Sequence, residues 1–344
     1  MTEFIYLDAA ASALKPESVI EAELDFLRNH YANAGRGVCA RAEFADKMVA
    51  DARSAVARFI GAASPDQIIF TGGATDSLNR IANMLPQDST VAVSDLDHHS
   101  ARLPFQEKHK TVLIPLDDDF NYGEIPKCDA AVITAMSNVL GVPQRFTAGG
   151  AQLTIIDAAQ YVAHEKINVA DWNPDALVFS GHKIGADTGL GILYLKEPNR
   201  WKTDKFGGGQ FAATGPAAFE AGTLPLTQIA GLPSALAESE DRRAESGNLL
   251  DYLYGELSKI DRIKIITKPG ASLLTFVIDG MHPLDFGALM GANNICLRVG
   301  NMCASWLHKR LGYDGTIRIS TGPWNTESEI EQAAKVIKKI CGQK

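Results

Sequence analysis

Lys183 combines an ionisable amine with a position at the end of an apolar run. Residues 176–183 read Ala-Leu-Val-Phe-Ser-Gly-His-Lys, and a second glycine-containing segment, Thr-Gly-Leu-Gly, follows at 188–191. A lysine just after a buried strand is poorly placed for a solvated charge. Burial lowers the pKa of an amine and makes it a nucleophile toward carbonyl groups. The position therefore predicts a lysine that bonds covalently to an aldehyde.

Asp157 ends a second apolar run, Leu-Thr-Ile-Ile at 153–156, and begins the segment Asp-Ala-Ala-Gln. Each residue alone has an ordinary explanation, because a lysine can lie on a surface turn and an aspartate can cap a helix. At the ends of two strands, however, an amine for an aldehyde and a carboxylate for a pyridinium nitrogen are the pair that pyridoxal 5'-phosphate (PLP) requires. The two residues together predict a PLP site.

A phosphate-binding turn is indicated by residues 72–77, Gly-Gly-Ala-Thr-Asp-Ser, which follow a predicted strand and open a helix. Small residues let backbone N–H groups approach an anion, the helix N-terminus adds its dipole, and Thr75 offers a hydroxyl. Glycine-rich turns between strand and helix are also common without a ligand. No Gly-Lys-Ser/Thr sequence closes this turn, so it is not a Walker loop.

Two more polar residues follow apolar strands. His98 could stack on an aromatic ring or transfer protons, and its ordinary alternative is a histidine that caps or packs a helix. Asn138 could donate to a ring hydroxyl, although asparagines in loops often only form turns.

Cys303 is the second chemical feature of the chain. It follows an Arg298-Val-Gly turn and precedes a predicted helix. A helix N-terminus and a nearby arginine both favour a reactive thiolate, whereas the alternative is a buried cysteine that acts as a small apolar residue. Downstream, Arg318 lies in an otherwise apolar strand, where an inward guanidinium needs a carboxylate, and a substrate carboxylate would suit it.

The elements that must position these residues alternate between strand and helix. Apolar runs predict strands at 67–70, 90–93, 111–114, 130–134, 153–156 and 177–179. Helices are predicted from Pro16 to Tyr31, from 42 to 61, from Thr75 and after His99. Runs without polar alternation are typical of parallel strands that are buried on both faces. In open α/β sheets, ligands bind outside the carboxyl ends of such strands, where most of the candidate residues lie.

A change in composition at residues 239–245, inside a predicted long helix, indicates a domain boundary. Beyond it, strands at 263–267 and 273–278, then a helix, a strand and a terminal helix from Glu327, predict a smaller α+β domain. A length of 344 residues also exceeds one ordinary core. We therefore predict an N-terminal arm at 1–15, a large ligand-binding domain at 16–240 and a small domain at 241–344.

Composition restricts the class of protein. A hydrophobic fraction of 46% and a charged fraction of 22% are those of a folded, soluble chain, and a net charge of −8 argues against nucleic acids and anionic membranes as partners. No signal peptide or membrane-spanning apolar stretch is visible. The five cysteines are scattered and join no histidine in a metal-ligand spacing, which predicts reduced thiols, no metal site and a cytoplasmic location.

The chain resembles the class V branch of fold-type I PLP enzymes, and most closely the cysteine desulfurases and selenocysteine lyases. The resemblance runs nearly end to end, from residues 6–12 (Tyr-Leu-Asp-Ala-Ala-Ala-Ser) to the final helix. Its most specific segments are Asp-Ala-Ala-Gln at 157–160, Ser-Gly-His-Lys at 180–183, Phe-Glu-Ala-Gly-Thr at 219–223 and Arg-x-Gly-x-x-Cys-Ala at 298–304. The resemblance implies an α/β fold with a mainly parallel seven-stranded sheet and a smaller C-terminal α+β domain.

The resemblance also implies roles for individual residues. Lys183 would bind the PLP aldehyde, Asp157 would pair with the pyridinium nitrogen, and His98 would stack on the ring. The other cofactor contacts would be Asn138 and Gln160 at the ring oxygen, and Ala74, Thr75, Ser180, His182 and the other subunit's Thr223 at the phosphate. The last contact implies a homodimer with shared active sites.

The reaction that the resemblance implies is desulfuration of L-cysteine. Arg318 and Arg298 would bind the substrate carboxylate, and Lys183 would move the Cα proton. The Cys303 thiolate would then take the substrate sulfur as a persulfide, for transfer to an acceptor protein or thiol, and alanine would leave. The family's two histidines before this cysteine are Asn301 and Met302 here, and an expected His-Arg-Gly reads Gly-Arg-Gly at 35–37.

These departures concern substrate choice and persulfide delivery. Other class V reactions therefore stay open as alternatives: a selenocysteine lyase, a cysteine C–S lyase, an aminotransferase or an epimerase. A non-catalytic sulfur-relay scaffold is the alternative from another class of protein.

Overall fold

The computed structural model describes residues 4–35, 37–147, 149–242 and 247–342. Its helices are α1 (Glu17–Asp25), α2 (Ala40–Ile60), α3 (Ala74–Met84), α4 (His99–Lys108), α5 (Val169–Trp172), α6 (Leu226–Arg242), α7 (Gly247–Leu257), α8 (Pro283–Ala292), α9 (Ser305–Leu311) and α10 (Glu327–Ile340). Its strands are β1 (Ile5–Tyr6), β2 (Ile68–Thr71), β3 (Thr90–Val93), β4 (Lys110–Leu113), β5 (Cys128–Thr134), β6 (Ala151–Asp157), β7 (Ala176–Ser180), β8 (Gly191–Leu195), β9 (Ile263–Ile265), β10 (Leu274–Ile278), β11 (Ile295–Cys296), β12 (Arg298–Gly300) and β13 (Thr316–Ile319).

The larger sheet has seven strands in the order β2-β8-β7-β6-β5-β3-β4. Strands β7, β6, β5, β3 and β4 pair in parallel, whereas β8 is antiparallel to both β2 and β7. The predicted α/β fold with a mainly parallel seven-stranded sheet is therefore confirmed. The six strands predicted from apolar runs share one direction, so their carboxyl ends lie at one edge of the sheet.

Two details of the predicted sheet are wrong. The sequence prediction contains no strand at β8, and the chain inserts it between β2 and β7. The sequence also predicted that every strand is buried on both faces. Strand β4 is instead an edge strand with one neighbour, and 56% of Leu113 is exposed. An apolar run alone does not separate an edge strand from a central one, because the neighbours of a strand are set by distant chain segments.

The C-terminal part of the chain forms a four-stranded antiparallel sheet in the order β12-β13-β10-β9. Helices α7, α8 and α10 supply much of its core through residues that include Leu253, Phe286 and Ile337. The predicted smaller α+β unit is therefore present. Part of the predicted boundary segment, residues 243–245, lies outside the described residues, and α6 and α7 flank it.

The N-terminal segment packs on this C-terminal unit. Strand β1 pairs in parallel with β11, and Ile5 and Leu7 belong to the core of the smaller sheet. This pairing carries Asp8, which follows β1, to an isolated bridge with Ser320 just after β13. In the described ranges, no helix has the length and apolar character needed to cross a bilayer.

Candidate active site

Residues at the carboxyl ends of the parallel strands enclose a cavity of about 230 Å³. It is lined by Ala74, Thr75, His98, Ser100, Thr134, Met136, Asn138, Asp157, Ala159, Gln160, Ser180, His182 and Lys183. Every predicted cofactor residue except Thr223 lies in this lining. Ser100, Thr134, Met136 and Ala159 were not singled out from the sequence, although each lies within two residues of a strand end or of a candidate residue.

Lys183 ends the short helical turn that follows β7. Its Nζ donates to the carbonyl oxygens of Ala10 at 2.5 Å and Ala11 at 3.1 Å, so the amine is held by the N-terminal segment. Burial, with a smaller effect of the Arg318 charge, lowers the pKa of Lys183 to about 8. The neutral, nucleophilic fraction of this amine near neutral pH is therefore much larger than that of a solvated lysine.

Asp157 is the last residue of β6 and lies in register between Thr134 of β5 and Val178 of β7. Its side chain accepts the backbone N–H of Ala159 at 2.9 Å. Burial raises the pKa of Asp157 to about 6, against the opposite effects of that hydrogen bond and of the Lys183 charge. A buried carboxyl group in a ligand cavity is a suitable partner for a protonated ring nitrogen.

His98 is the N-cap residue of α4 and forms one wall of the cavity. Its Nδ1 accepts the backbone N–H of Ser100 at 3.2 Å and lies 2.7 Å from the Ser100 hydroxyl, which places the ring proton on Nε2. Burial is the largest of the effects that lower the pKa of His98 to about 4. The ring is therefore a neutral, flat surface, as stacking on an aromatic cofactor requires. The capping alternative is realised, and it leaves the ring in the cavity wall, where stacking on a cofactor stays a prediction.

The N-terminus of α3 also lines the cavity, through Ala74 and Thr75. Gly73, the N-cap residue, offers no side-chain hydrogen bond, and the N–H of Ala74 donates to Ser180 Oγ at 2.8 Å. The backbone is close to β8 here, since a Cβ atom on Gly191 would lie 2.3 Å from Gly73 Cα. His182 Nδ1 lies 3.3 Å from Ser12 Oγ, and burial is the main effect that lowers the pKa of His182 to about 4. Backbone amides, a hydroxyl and a neutral imidazole suit a phosphate.

Two amide oxygens in the cavity lack hydrogen-bond partners among the described residues. Asn138 Oδ1 and Gln160 Oε1 are both buried and unpaired. Because an unpaired buried acceptor is unfavourable, their presence in a ligand-sized cavity indicates a donor on the ligand, such as a ring hydroxyl. The sequence prediction had Asn138 as the donor, but Asn138 Nδ2 donates to the Met302 carbonyl and the unpaired atom is an acceptor. With Lys183, Asp157 and the α3 terminus, these atoms form a donor and acceptor set that fits PLP.

Arg318 and Arg298 share one protein carboxylate, and sequence analysis did not identify it. Arg318 Nη2 lies 3.0 Å from Asp8 Oδ1, and Arg298 Nη2 lies 2.6 Å from Asp8 Oδ2. Arg318 also donates to the Asn138 carbonyl at 2.9 Å, and its buried Nε has no partner within the described part of the chain. The position of Asp8 directly after an apolar strand, like that of Asp157, was the signal that could have singled it out.

Asp8→Ala is expected to lower the free energy of unfolding by about 3 kcal/mol, because it leaves the Arg318 guanidinium, whose side chain is 3% exposed, without its carboxylate. Denaturant unfolding of the cofactor-free protein measures this change. Asp119→Ala is the matched control, since its pair with Lys268 is solvent-exposed and should contribute less than about 1 kcal/mol. Equal small losses in both variants would contradict this assignment.

Cys303 is exposed, so the alternative of a buried structural cysteine is wrong. It lies in a turn before α9 that two contacts join to the cavity wall. Asn138 Nδ2 donates to the Met302 carbonyl at 2.8 Å, and the His99 backbone N–H donates to the Cys303 carbonyl at 2.7 Å. Asn138 therefore contacts both the cavity and the cysteine turn.

Thr223 lies apart from the cavity that contains Lys183. It lines a separate, larger recess together with Arg53, Glu220 and Gly222. Arg53 and Glu220 form a two-pronged ion pair at 2.8 Å, which anchors this part of the chain against α2. Within one chain, Thr223 is therefore not part of the set around Lys183.

Comparisons with known proteins agree with this geometry. The family model described as aminotransferase class-V matches residues 5–333. A protein from Vibrio cholerae named a probable cysteine desulfurase is 34% identical over 97% of this chain and 93% of its own length. The structure of a cysteine desulfurase from Thermococcus onnurineus superposes with a TM-score of 0.93 at 27% identity, over 98% of this chain and 95% of the other. A cysteine desulfurase from Escherichia coli gives a TM-score of 0.88 at 28% identity, over 98% and 94% of the two chains.

Proposed function

Because the chain belongs to the class-V aminotransferase family, we propose that it is a PLP-dependent cysteine desulfurase that converts L-cysteine to L-alanine and takes up the sulfur as a persulfide on Cys303. The observation that carries the proposal is the cavity at the carboxyl ends of the strands, where Lys183 and Asp157 lie among unpaired amide acceptors. An exposed cysteine on the turn next to this cavity supports a desulfurase over an enzyme that needs no thiol.

Different residues of the cavity would bind different parts of the cofactor. Lys183 would bind the aldehyde, Asp157 the ring nitrogen and His98 the face of the ring. Asn138 and Gln160 would contact the ring oxygen, and the phosphate would lie against Ala74, Thr75, Ser180 and His182. Bound PLP supplies an electron sink that stabilises negative charge at the α-carbon of an amino acid.

Substrate binding is assigned to the two arginines. The Arg298 side chain is 48% exposed and binds Asp8 through Nη2, so its other nitrogens could bind a substrate carboxylate. Arg318 contributes its unpaired Nε, and Asp8 fixes both guanidinium groups in place. The charge of Arg318 also contributes to the lowered pKa of Lys183.

Lys183 and Cys303 carry the chemical steps that the protein itself performs. With a pKa of about 8, the Lys183 amine can accept the Cα proton and return it at neutral pH. The Cys303 thiolate attacks the sulfur of the substrate, so that a sulfur–sulfur bond forms as the carbon–sulfur bond breaks. The carbon keeps the bonding electron pair and gains a proton, and the product is alanine.

A homodimer is part of the proposal. The separation of Thr223 from its own chain's cavity supports a role at the phosphate of the second subunit. The same segment exposes Phe206 and Phe211, at 81% and 95%, which a second subunit would cover.

We also propose that the persulfide sulfur passes to an acceptor protein or thiol. A cytoplasmic location is supported by five cysteines that are all unpaired.

Product analysis tests the proposed reaction. PLP-loaded protein given L-cysteine and a thiol reductant should release alanine and sulfide in equal amounts. Pyruvate and ammonia in place of alanine would identify a C–S lyase. Turnover of selenocysteine alone would identify a selenocysteine lyase, and the absence of any turnover of cysteine would favour transamination, epimerisation or a scaffold role.

Uptake of PLP by the cofactor-free protein is expected to accelerate as the pH rises through about 8 and then to level off. The reason is that the amine reacts only when it is deprotonated, and burial has lowered the pKa of Lys183 to about 8. Absorbance changes after rapid mixing at a series of pH values measure the rate. An inflection at the pKa of an ordinary solvated lysine would contradict the prediction, and Lys183→Ala protein supplies the background.

A further inference from the structure

The turn that carries Cys303 has an unusual backbone. Met302 and Cys303 both have positive φ, at 50° and 55°. Two successive side-chain-bearing residues in the left-handed region are unfavourable, and such a conformation persists only where surrounding contacts hold it. The contacts of this turn therefore decide how the thiol is presented.

Hydrogen bonds hold the backbone of the turn on several sides. Asn138 Nδ2 and the His99 backbone N–H bind the carbonyl oxygens of Met302 and Cys303, as described above. Inside the turn, the Cys303 N–H donates to Asn301 Oδ1 at 3.1 Å, and the Ala304 N–H donates to the Asn301 carbonyl at 2.9 Å. The Asn301 side chain is thus the direct partner of the Cys303 amide.

The orientation of Asn301 is set in turn by His99. Asn301 Nδ2 donates to Ser305 Oγ at 3.4 Å, and Ser305 Oγ lies 2.9 Å from His99 Nε2. The Ser305 backbone N–H also donates to His99 Nε2, at 3.4 Å, so this nitrogen is an acceptor and the ring proton lies on Nδ1. The Ser305 hydroxyl then donates to His99 and accepts from Asn301, which turns the Asn301 oxygen toward the Cys303 amide.

The His99 ring itself is fixed by aromatic packing. Its centroid lies 5.3 Å from that of Trp306 in an edge-to-face arrangement, and the Arg102 guanidinium lies 4.2 Å from the centroid of the same indole. Arg102 also forms an ion pair with Asp95 at 3.0 Å. Burial lowers the pKa of His99, which favours the neutral ring that the hydrogen-bond directions require.

We propose that His99 is a positioning residue for Cys303, and that its imidazole acts through Ser305 and Asn301 to hold the left-handed turn that presents the thiol to the cavity. The His99 backbone N–H also binds the Cys303 carbonyl. The ring and the backbone of His99 therefore hold the amide and the carbonyl of Cys303, respectively. This inference rests on the proposed function for its catalytic consequence, but the hydrogen-bonded clamp formed by His99, Ser305 and Asn301 can be tested without it.

Hydrogen exchange tests the clamp directly. In His99→Ala, which keeps the backbone contact and removes the ring, the amide of Cys303 is expected to exchange at least about 10-fold faster than in the wild type. Mass spectrometry of a peptide spanning residues 299–307 measures this rate in PLP-loaded protein. Exchange unchanged from wild type would overturn the proposal. Ser54→Ala is the control, because its hydroxyl binds the Ala50 carbonyl within α2, far along the chain from this turn.

A double-mutant cycle tests whether the clamp acts as one unit. His99→Ala and Ser305→Ala are expected to lower kcat by about 10-fold each with little change in KM or in PLP absorbance, and the double variant should lose no more than the more damaging single one. Additive losses, or a loss confined to KM or to PLP binding, would overturn the proposal. If the wild type did not desulfurate cysteine at all, the proposed function would be wrong. The hydrogen-exchange measurement would still show whether the His99 ring holds the Cys303 amide.

Discussion

Replacement of Lys183 by alanine is expected to lower kcat/KM for L-cysteine by at least about 10³-fold. The amine has two roles in the proposed reaction, because it binds the PLP aldehyde and it moves the Cα proton of the substrate. Among the residues that the structure describes, no other lysine lines the cavity. Alanine production under saturating PLP measures the loss, and the absorbance of the purified variant reports whether PLP is still covalently attached.

The control for this variant is Lys166→Ala, which removes an exposed lysine outside the cavity and should leave turnover unchanged. Lys183→Ala also removes two hydrogen bonds to the carbonyl oxygens of Ala10 and Ala11, so its fold must be compared with that of the wild type by circular dichroism. A folded Lys183→Ala protein that retains a tenth of wild-type activity would contradict the assigned role.

Cys303→Ala is the second substitution with a large expected effect. The variant should bind PLP and L-cysteine as the wild type does, and should lose at least about 10³-fold in the release of alanine and sulfide. Without this thiolate nothing in the proposed mechanism accepts the sulfur. Because Cys303 is exposed, its truncation should leave the fold and the cavity intact. Parallel assays of alanine, sulfide and pyruvate distinguish loss of transfer from a change of reaction.

Cys296→Ala provides the matched control, since it removes another exposed cysteine from the smaller unit without touching the turn. Wild-type activity is expected for that variant. Alanine and sulfide at wild-type rates from Cys303→Ala would show that another group takes the sulfur, and pyruvate from both proteins would identify a C–S lyase.

Part of the main cavity could be predicted from local patterns in the sequence, whereas Gln160, Ser180 and His182 were implied only by the family resemblance. Lys183 and Asp157 each end an apolar run, and strands that share a direction bring their carboxyl ends together. Knowledge of the strand order was not needed for this step. The small domain could also be predicted from the sequence. Its strands and its last helix have clear periodicity, and a capping box at Thr326 marks the start of that helix.

The contacts that could not be predicted join distant parts of the chain. Asp8 and Arg318 are 310 residues apart, and they meet because β1 pairs with β11, a register that two-residue strands do not encode locally. His99 and Ser305 are 206 residues apart. The sequence around His99, which follows the candidate His98, therefore does not indicate that its ring contacts Ser305. Strand β8 was missed for a related reason, since its insertion between β2 and β7 depends on the whole sheet.

The central claim is that Cys303 receives the sulfur of L-cysteine. The most direct measurement mixes PLP-loaded protein with a limiting amount of L-cysteine without reductant, alkylates the thiols and analyses the peptide that contains Cys303 by mass spectrometry. The account predicts one added sulfur atom on Cys303, in amounts equal to the alanine released. Alanine or pyruvate formed with no added sulfur on Cys303 would contradict it.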